Sequence, residues 1–357
     1  MIKRFYLLLL ISSLLLFGCK GIVEQDFFFQ RLSTTEYESV KEKELNDPFI
    51  TSSMIPMSII VDSLLISIDR SKQDFIFSIS NIQNDSLLGT FCRRGRSNNE
   101  IVDCLPIMST YSNSIGELCA PIFTYGDGRI FIWNITQSLD AGSHIYENII
   151  QLHNEENWYP FLSGYLLCEK SVIVRNSKQI GSSDTPVNAP RYEVYSTSTG
   201  ELIRQYDIFK PVVFETNNPI YTSNSFLGCT DCIKPDRTKI AIGMGYMPVY
   251  GILDLHSGSF KGFQINNLIP FRPTERIWHF CDMVADNQLI YALYYGGDIS
   301  EYDSKRHSST LFVLDWEGRI KARYSLDKYV TELNLSNGIL YLSYIGDAVY
   351  MLNTINL

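Results

Sequence analysis

Cysteine, net positive charge and long apolar runs are all scarce in this chain, and each scarcity removes a class of protein. Eight cysteines in 357 residues are too few and too unevenly spaced for the disulfide framework of a small secreted domain. Charged residues make up only 19% against 45% hydrophobic ones, so the chain is too apolar to stay disordered. The net charge of −9 lacks the basic footprint of a nucleic-acid binder, and no nucleic-acid partner is expected. No apolar run reaches the ~18 residues that a membrane-spanning helix needs. G-x-x-x-x-G-K-[ST], G-x-S-x-G, H-E-x-x-H and the dinucleotide fingerprint are all missing, so the commonest signatures for nucleotide, acyl and zinc chemistry are absent.

What is abundant is aromatic surface: 22 Tyr, 20 Phe and 4 Trp, 13% of the chain. Large rings suit pleated, half-buried surfaces, which points to an all-β fold. Five segments look alike, starting at Phe75, Phe131, Tyr192, Tyr250 and Leu311. Each is an apolar strand, a polar turn and a second strand, which is the pattern of a hairpin. The starts recur at about 58 residues, and a repeat of that length means a blade or solenoid unit. Gly200, Gly258 and Gly318 fall in the turns, where a positive φ is often required. Further strands are expected at Lys239–Met244, Leu289–Tyr295, Ile339–Tyr344 and Ala348–Leu352. Apolar residues run consecutively along the strands, as they must when sheets pack on both faces. These features predict a six-bladed β-propeller with four-stranded antiparallel blades. The last repeat is short of a strand, and the segment Gly21 to Ile50 is the expected donor that closes the ring and hides a sheet edge.

Lys3 and Arg4 precede an apolar stretch from Phe5 to Phe17, and Gly18-Cys19 follows. The positive start and short apolar core read as an export signal. Leu16-Phe17-Gly18-Cys19 resembles the lipobox of bacterial lipoproteins. The resemblance implies that residues 1–18 are removed and that Cys19 carries the lipid, with residues 19–50 as the anchored N-terminal segment and 51–357 as the propeller. Several acyl chains on one residue make a stable membrane anchor. By the same resemblance, Lys20 in place of Asp favours transfer to the outer membrane of the bacterial envelope. Over most of its length the chain also resembles the TolB-like propeller lipoproteins. The match rests on Arg93-Arg94-Gly95-Arg96 with Glu100, on Lys234 to Lys239 (KPDRTK), on Asp315-Trp316-Glu317-Gly318 and on the strand from Leu289. Ser97-Asn98-Asn99 departs from the family's pattern after the first hairpin.

The long irregular stretches include Cys92 to Ala120, Phe209 to Gly228, Asn266 to Ile277 and Gly296 to Ser309. In propeller geometry they fall on one face, and long loops on a rigid scaffold are where binding residues accumulate. Three arginines within four residues, Arg93, Arg94 and Arg96, stand out in an acidic chain and suit carboxylate or phosphate oxygens. Glu100 is near enough to pair with one of them, while Arg272 and Arg276 extend the basic character and Trp158 offers a ring to stack on. The expected role is a non-catalytic binding or scaffold module for an envelope protein or an anionic glycan or peptide, tethered to the membrane through its lipid.

The alternative is a hydrolase or lactonase-like enzyme with carboxylates and calcium at the central channel, using Asp231, Asp282 and Asp298. No cofactor is expected otherwise, although Asp298, Glu301 and Asp303 form an acidic group suited to calcium. Cys229 and Cys232 form a C-x-x-C that leads into a strand and not a helix, so a structural bridge or two quiet thiols fits better than redox chemistry. On a regular strand His279 and Cys281 share one side, away from Trp278, Phe280 and Asp282.

Overall fold

The computed structural model describes residues 32–35, 41–43, 57–68, 74–153, 159–168, 170–180, 187–209, 227–265, 277–298, 309–326, 329–344 and 348–353. Two short strands come first in the chain, β1 (Ser33–Thr35) and β2 (Lys41–Lys43). Antiparallel sheets follow in sequence order. The first holds β3 (Ser58–Val61), β4 (Leu64–Ile68), β5 (Phe75–Asn81) and β6 (Ser86–Arg93). The second holds β7 (Tyr111–Ser112), β8 (Leu118–Phe123), β9 (Arg129–Asn134) and β10 (Tyr146–Gln151). The third runs β11 (Phe161–Cys168), β12 (Ser171–Ile180), β13 (Val187–Ser196) and β14 (Leu202–Asp207). The fourth runs β15 (Cys229–Ile233), β16 (Lys239–Met244), β17 (Val249–Asp254) and β18 (Phe260–Ile265). The fifth comprises β19 (Ile277–Ala285), β20 (Leu289–Asp298), β21 (Thr310–Asp315) and β22 (Ile320–Leu326). The last is β23 (Val330–Ser336), β24 (Ile339–Tyr344) and β25 (Ala348–Asn353).

Each repeat identified in the sequence becomes the third and fourth strands of a sheet, from β5–β6 to β21–β22. In the second sheet a short helix, α1 (Ile135–Ala141), replaces the tight turn. The Asn134 side chain accepts from Gln137 N at its start, and Gly142 ends it in the left-handed region, as caps of this kind do. Gly200, Gly258 and Gly318 all have positive φ, at 72°, 73° and 85°. At Gly318 a Cβ would also lie 2.1 Å from the Phe263 ring, so no other residue fits there without rearrangement.

The middle strands are buried on both faces while the outermost ones are mostly exposed, as β9 and β10 illustrate. Aromatic pairs join neighbouring sheets. Phe77 stacks on Trp133 at 5.4 Å, Phe123 meets Phe161 edge-on at 6.1 Å, and Tyr250 meets Phe280 at 6.2 Å. Such pairs contribute about 0.5–1.5 kcal/mol beyond the area they bury. The aromatic excess of the sequence is spent between the blades.

Two expectations are corrected. The described residues give five four-stranded blades and not six, because the last sheet has three strands. The N-terminal segment does not supply its fourth strand among the described residues. Instead β1 adds in parallel to β18, pairing Ser33 with Phe263, and β2 adds in parallel to β22, pairing Lys41 with Tyr324. The physical reason is edge protection: the outer strands β18 and β22 expose unpaired backbone groups, and a parallel segment satisfies them as well as an antiparallel one.

Side chains on one face of β23 meet the first sheet. Glu332, Asn334 and Ser336 accept from the backbone N–H of Met57, Ile60 and Asp62 at 2.8, 3.1 and 2.9 Å. An innermost strand is also a sheet edge, so its N–H groups need partners from elsewhere. Here they come from the alternate residues of a neighbouring innermost strand.

Candidate functional site

The arginine-rich segment leaves β6 and folds into a compact loop. Arg94 pairs with Ile101 as an isolated parallel bridge, and its guanidinium donates to the Val102 carbonyl at 2.9 Å. Arg94 is therefore a structural residue of the loop and less available to a ligand. Glu100 accepts from Ser97 N at 3.1 Å and lies 3.7 Å from the Arg93 guanidinium. The Ser97 N–H first, and Arg93 in addition, hold its carboxyl below the usual range. Gly95 makes room for this, since a Cβ there would lie 1.9 Å from Glu100 Oε2.

From the start of β9, Arg129 donates to the Asn98 and Glu100 carbonyls at 3.1 and 3.3 Å, with its own charge met by Asp127 at 2.7 Å. The loop is thus fastened at both ends and in the middle, leaving Arg93 and Arg96 exposed. Beside it is a cleft of 230 Å³ lined by Asn99, His144, Tyr146, Asn148 and Ile149. Burial, and then the positive charge of Arg93, lower the His144 pKa. Residues of the first crossing and of the outermost strand β10 meet here. The basic group therefore lies where the crossing out of the first sheet meets the outermost strand of the second.

Trp158, Arg272, Arg276 and Cys19, the expected lipid attachment site, lie outside the described residues, as do Glu301 and Asp303. His144 and Arg129 were not singled out from the sequence. No local pattern marks them, because they join the loop only through the packing of one sheet on the next.

A second feature lies where the innermost strands converge: a cavity of 480 Å³ lined by residues from five of the six sheets and by Pro106 to Thr110, the segment that leads into the second. Asp231 and Asp282 line it, whereas Asp298 ends β20 opposite Ile277. Asp231 is fully engaged. It accepts from Ser163 Oγ at 2.8 Å, Tyr165 Oη at 2.9 Å and Tyr192 Oη at 2.7 Å, and pairs with Arg175 at 3.2 Å. Every one of these groups is buried. This carboxylate joins the third and fourth sheets.

Asp282 accepts from Met283 N at 2.9 Å and from Leu333 N at 2.7 Å. Burial first, and the neighbouring Glu332 in addition, push its pKa up to about 7. Burial likewise raises Glu332. Glu332 and Asn334 were also missed, although alternation in VTELNLS places both on one face of a strand.

β19 departs from regular alternation. Register shifts flank Phe280, so Phe280 is buried while Cys281 and Asp282 both line the cavity. The expected pairing of His279 with Cys281 on one side is corrected by this bulge. His279 is buried with Nδ1 3.1 Å from Tyr294 Oη. The cysteines at 92, 104, 119, 168, 229, 232 and 281 are free thiols. Burial pushes the Cys229 thiol up to about 11 and raises Cys232 as well, which leaves the C-x-x-C as two unreactive thiols. Among the described residues, no three of His, Cys, Asp and Glu gather as a metal-ligand set.

Comparison of the whole chain with solved structures gives a fold. A DUF4221-family protein of Bacteroides vulgatus has a TM-score of 0.58 at 11% identity, covering 92% of this chain and 97% of its own. The chain is a β-propeller. A protein named as exported in Bacteroides fragilis has a TM-score of 0.50 at 8% identity, with 87% and 88% coverage. At such identities the likeness is one of fold alone. No family model matches the sequence, and no curated protein matches it either.

Proposed function

We propose that this propeller is a lipid-anchored envelope protein of the TolB-like kind, held to the outer membrane through Cys19. It acts as a non-catalytic binding module. The observation that carries the binding role is the fastened loop from Arg93 to Val102: Glu100, Arg129 and the Arg94–Val102 bond immobilise it while Arg93 and Arg96 stay exposed. A preorganised basic loop loses little entropy on binding, so it gains affinity for the same contacts. Guanidinium forks prefer carboxylate and phosphate oxygens, and the amides of Asn99 and Asn148 in the adjoining cleft suit hydroxyl or peptide groups. The ligand is therefore an acidic peptide segment of an envelope protein or an anionic glycan.

The engagement of Asp231 with Arg175, Ser163 and two tyrosines weighs for binding over hydrolysis, because a buried carboxylate paired with a guanidinium and held by three hydroxyls is fixed as a structural acceptor. Calorimetric titration with polygalacturonate and with a polyglutamate peptide tests the reading. Arg93→Ala with Arg96→Ala should weaken binding of the favoured anion at least tenfold, while Arg94→Ala should lower loop stability instead. No binding of either anion would refute the reading. Cys19→Ala should move the protein from the membrane to the soluble envelope fraction, and continued membrane retention would refute the anchor.

A further inference from the structure

The turn between β15 and β16 places an arginine where the backbone favours glycine. Arg237 N donates to the Lys234 carbonyl at 2.8 Å and closes the turn, and Arg237 itself takes a φ of 62°. That left-handed region suits glycine, and aspartate or asparagine tolerate it, as Asp62, Asp85 and Asn337 do in this chain. For arginine it is strained, and strain held at one residue points to a use for its side chain.

The side chain is also short of partners. A guanidinium carries a fork of N–H donors, yet among the described residues Arg237 makes one side-chain hydrogen bond, from Nη2 to the Thr110 carbonyl at 3.4 Å. Arg129, Arg175 and Arg191 are likewise withdrawn from solvent, but each faces a carboxylate at 3.2 Å or closer. Arg237 faces none among the described residues, and burial lowers its pKa with only Tyr165 opposing. Arg237, Thr110 and Tyr165 all line the central cavity. Arg237 also borders the neighbouring cavity beside Tyr111 and Leu167, which Thr110 and Tyr165 do not, so the underused fork belongs to the central one.

The rest of the wall selects among anions. Ile107, Met108, Ile233 and Trp278 give it apolar surface, and its volume is within the usual range for small-molecule sites. Asp231 is already matched by Arg175. Asp282 and Glu332 are raised by burial, and wherever they ionise they repel negative charge, a dianion most of all. We propose that the central cavity binds a small organic monocarboxylate with an apolar body, its carboxylate held by the Arg237 fork. Two parallel N–H···O bonds use donors that no described residue takes, and the body lies against the apolar wall.

The test is calorimetric titration of the detergent-solubilised full-length protein, in mildly acidic buffer, with hydrocinnamate, its uncharged amide and inorganic phosphate in parallel. Hydrocinnamate should bind saturably, and the amide, which keeps the body and lacks the charge, at least tenfold more weakly. Arg237→Gly removes the fork at a φ that glycine accepts, so the variant should melt no lower than the wild type while hydrocinnamate affinity falls at least tenfold. Arg93→Ala with Arg96→Ala should leave that affinity unchanged. The comparison of acid with amide needs no variant. Equal binding of the two would overturn the proposal, as would no saturable signal with hydrocinnamate at tens of millimolar. Undiminished affinity in Arg237→Gly would overturn it, and so would a lower melting temperature there, which would assign the guanidinium to the fold. Phosphate binding more tightly than hydrocinnamate would overturn it in favour of an inorganic anion site. Loss of hydrocinnamate binding on changing Arg93 and Arg96 would also overturn it, and would leave the anion-binding reading of that loop to its own titration.

Discussion

The Asp282 carboxylate on the innermost strand of one blade accepts the Leu333 backbone N–H on the innermost strand of the next, at 2.7 Å. The same device recurs between β23 and β3, where Glu332, Asn334 and Ser336 serve three N–H groups. Neighbouring inner strands are thus joined by side chain to backbone, and three of the polar residues this requires, Asp282, Glu332 and Asn334, line the central cavity.

Asp282 should make stability depend on pH in a definite direction. Its pKa of about 7 in the fold exceeds the ~3.9 of an unfolded aspartate. Between those values the native state holds a proton that the unfolded state has lost. Stability therefore falls as pH rises from about 4 to about 7, by up to about 1.4 kcal/mol per pH unit, and levels off above. Asp282→Asn removes the titration but leaves one acceptor oxygen for the two N–H groups of Met283 and Leu333. Urea titrations should show the variant less stable than the wild type near pH 4 and gaining on it toward pH 8. Glu332, raised in the same direction, leaves a residual slope in the variant. Parallel curves at all pH values would contradict the assignment.

His279 acts on the acid side with the opposite sign. Burial lowers its pKa to about 3, below the ~6.5 of an unfolded histidine. Below pH 6.5 the unfolded chain takes up a proton that the folded one refuses, so stability is lost as pH falls from about 6.5 to about 3. His279→Gln keeps a group that can bond to Tyr294 Oη and removes the titration. Its acid limb in urea titrations should be visibly shallower than that of the wild type.

The buried Arg175–Asp231 pair predicts strong asymmetry between single and double replacement. Asp231→Ala leaves Arg175 buried without its counter-charge and strands the hydroxyls of Ser163, Tyr165 and Tyr192. Breaking such a pair typically costs about 3–5 kcal/mol. Arg175→Met with Asp231→Leu removes both charges and should recover part of that loss. Chemical denaturation of the two variants side by side measures the difference, and a double variant no more stable than Asp231→Ala would show that the pair is not the main link between those sheets.

How much of this was legible in the sequence depends on how local the cause is. The hairpins beginning at Phe75, Phe131, Tyr192, Tyr250 and Leu311 could be read because burial on both faces leaves consecutive apolar residues. Gly318 could be read because its φ follows from a tight turn. The strands β1 and β2 could not, since three residues pairing through backbone alone carry no side-chain pattern. The bulge at Phe280 defeated strict alternation, and so the side of the strand that faces the axis was misjudged. At the rim, Arg93, Arg94 and Arg96 stood out as a charge run, but only packing reveals that Arg94 is consumed by Val102 and that Arg129 fastens the loop.

Gly95 provides the most direct test of that fastening. Its missing Cβ is what lets the Glu100 carboxylate approach, at a point where an added carbon would lie 1.9 Å from Oε2. Gly95→Ala must therefore displace the carboxylate from Ser97 N, and Arg93 loses its partner in the same step. The bonds from Arg129 to the Asn98 and Glu100 carbonyls remain, so the fold should survive, with a stability loss of about 1 kcal/mol. The loop itself should loosen. Amide hydrogen exchange from Ser97 to Ile101 should speed up at least tenfold in the variant, with exchange in β8 and β9 unchanged. If the loop's exchange stays as slow as in the wild type, Glu100 is not its fastener, and the preorganisation on which the anion-binding reading rests would have to come from Arg94 and Arg129 alone.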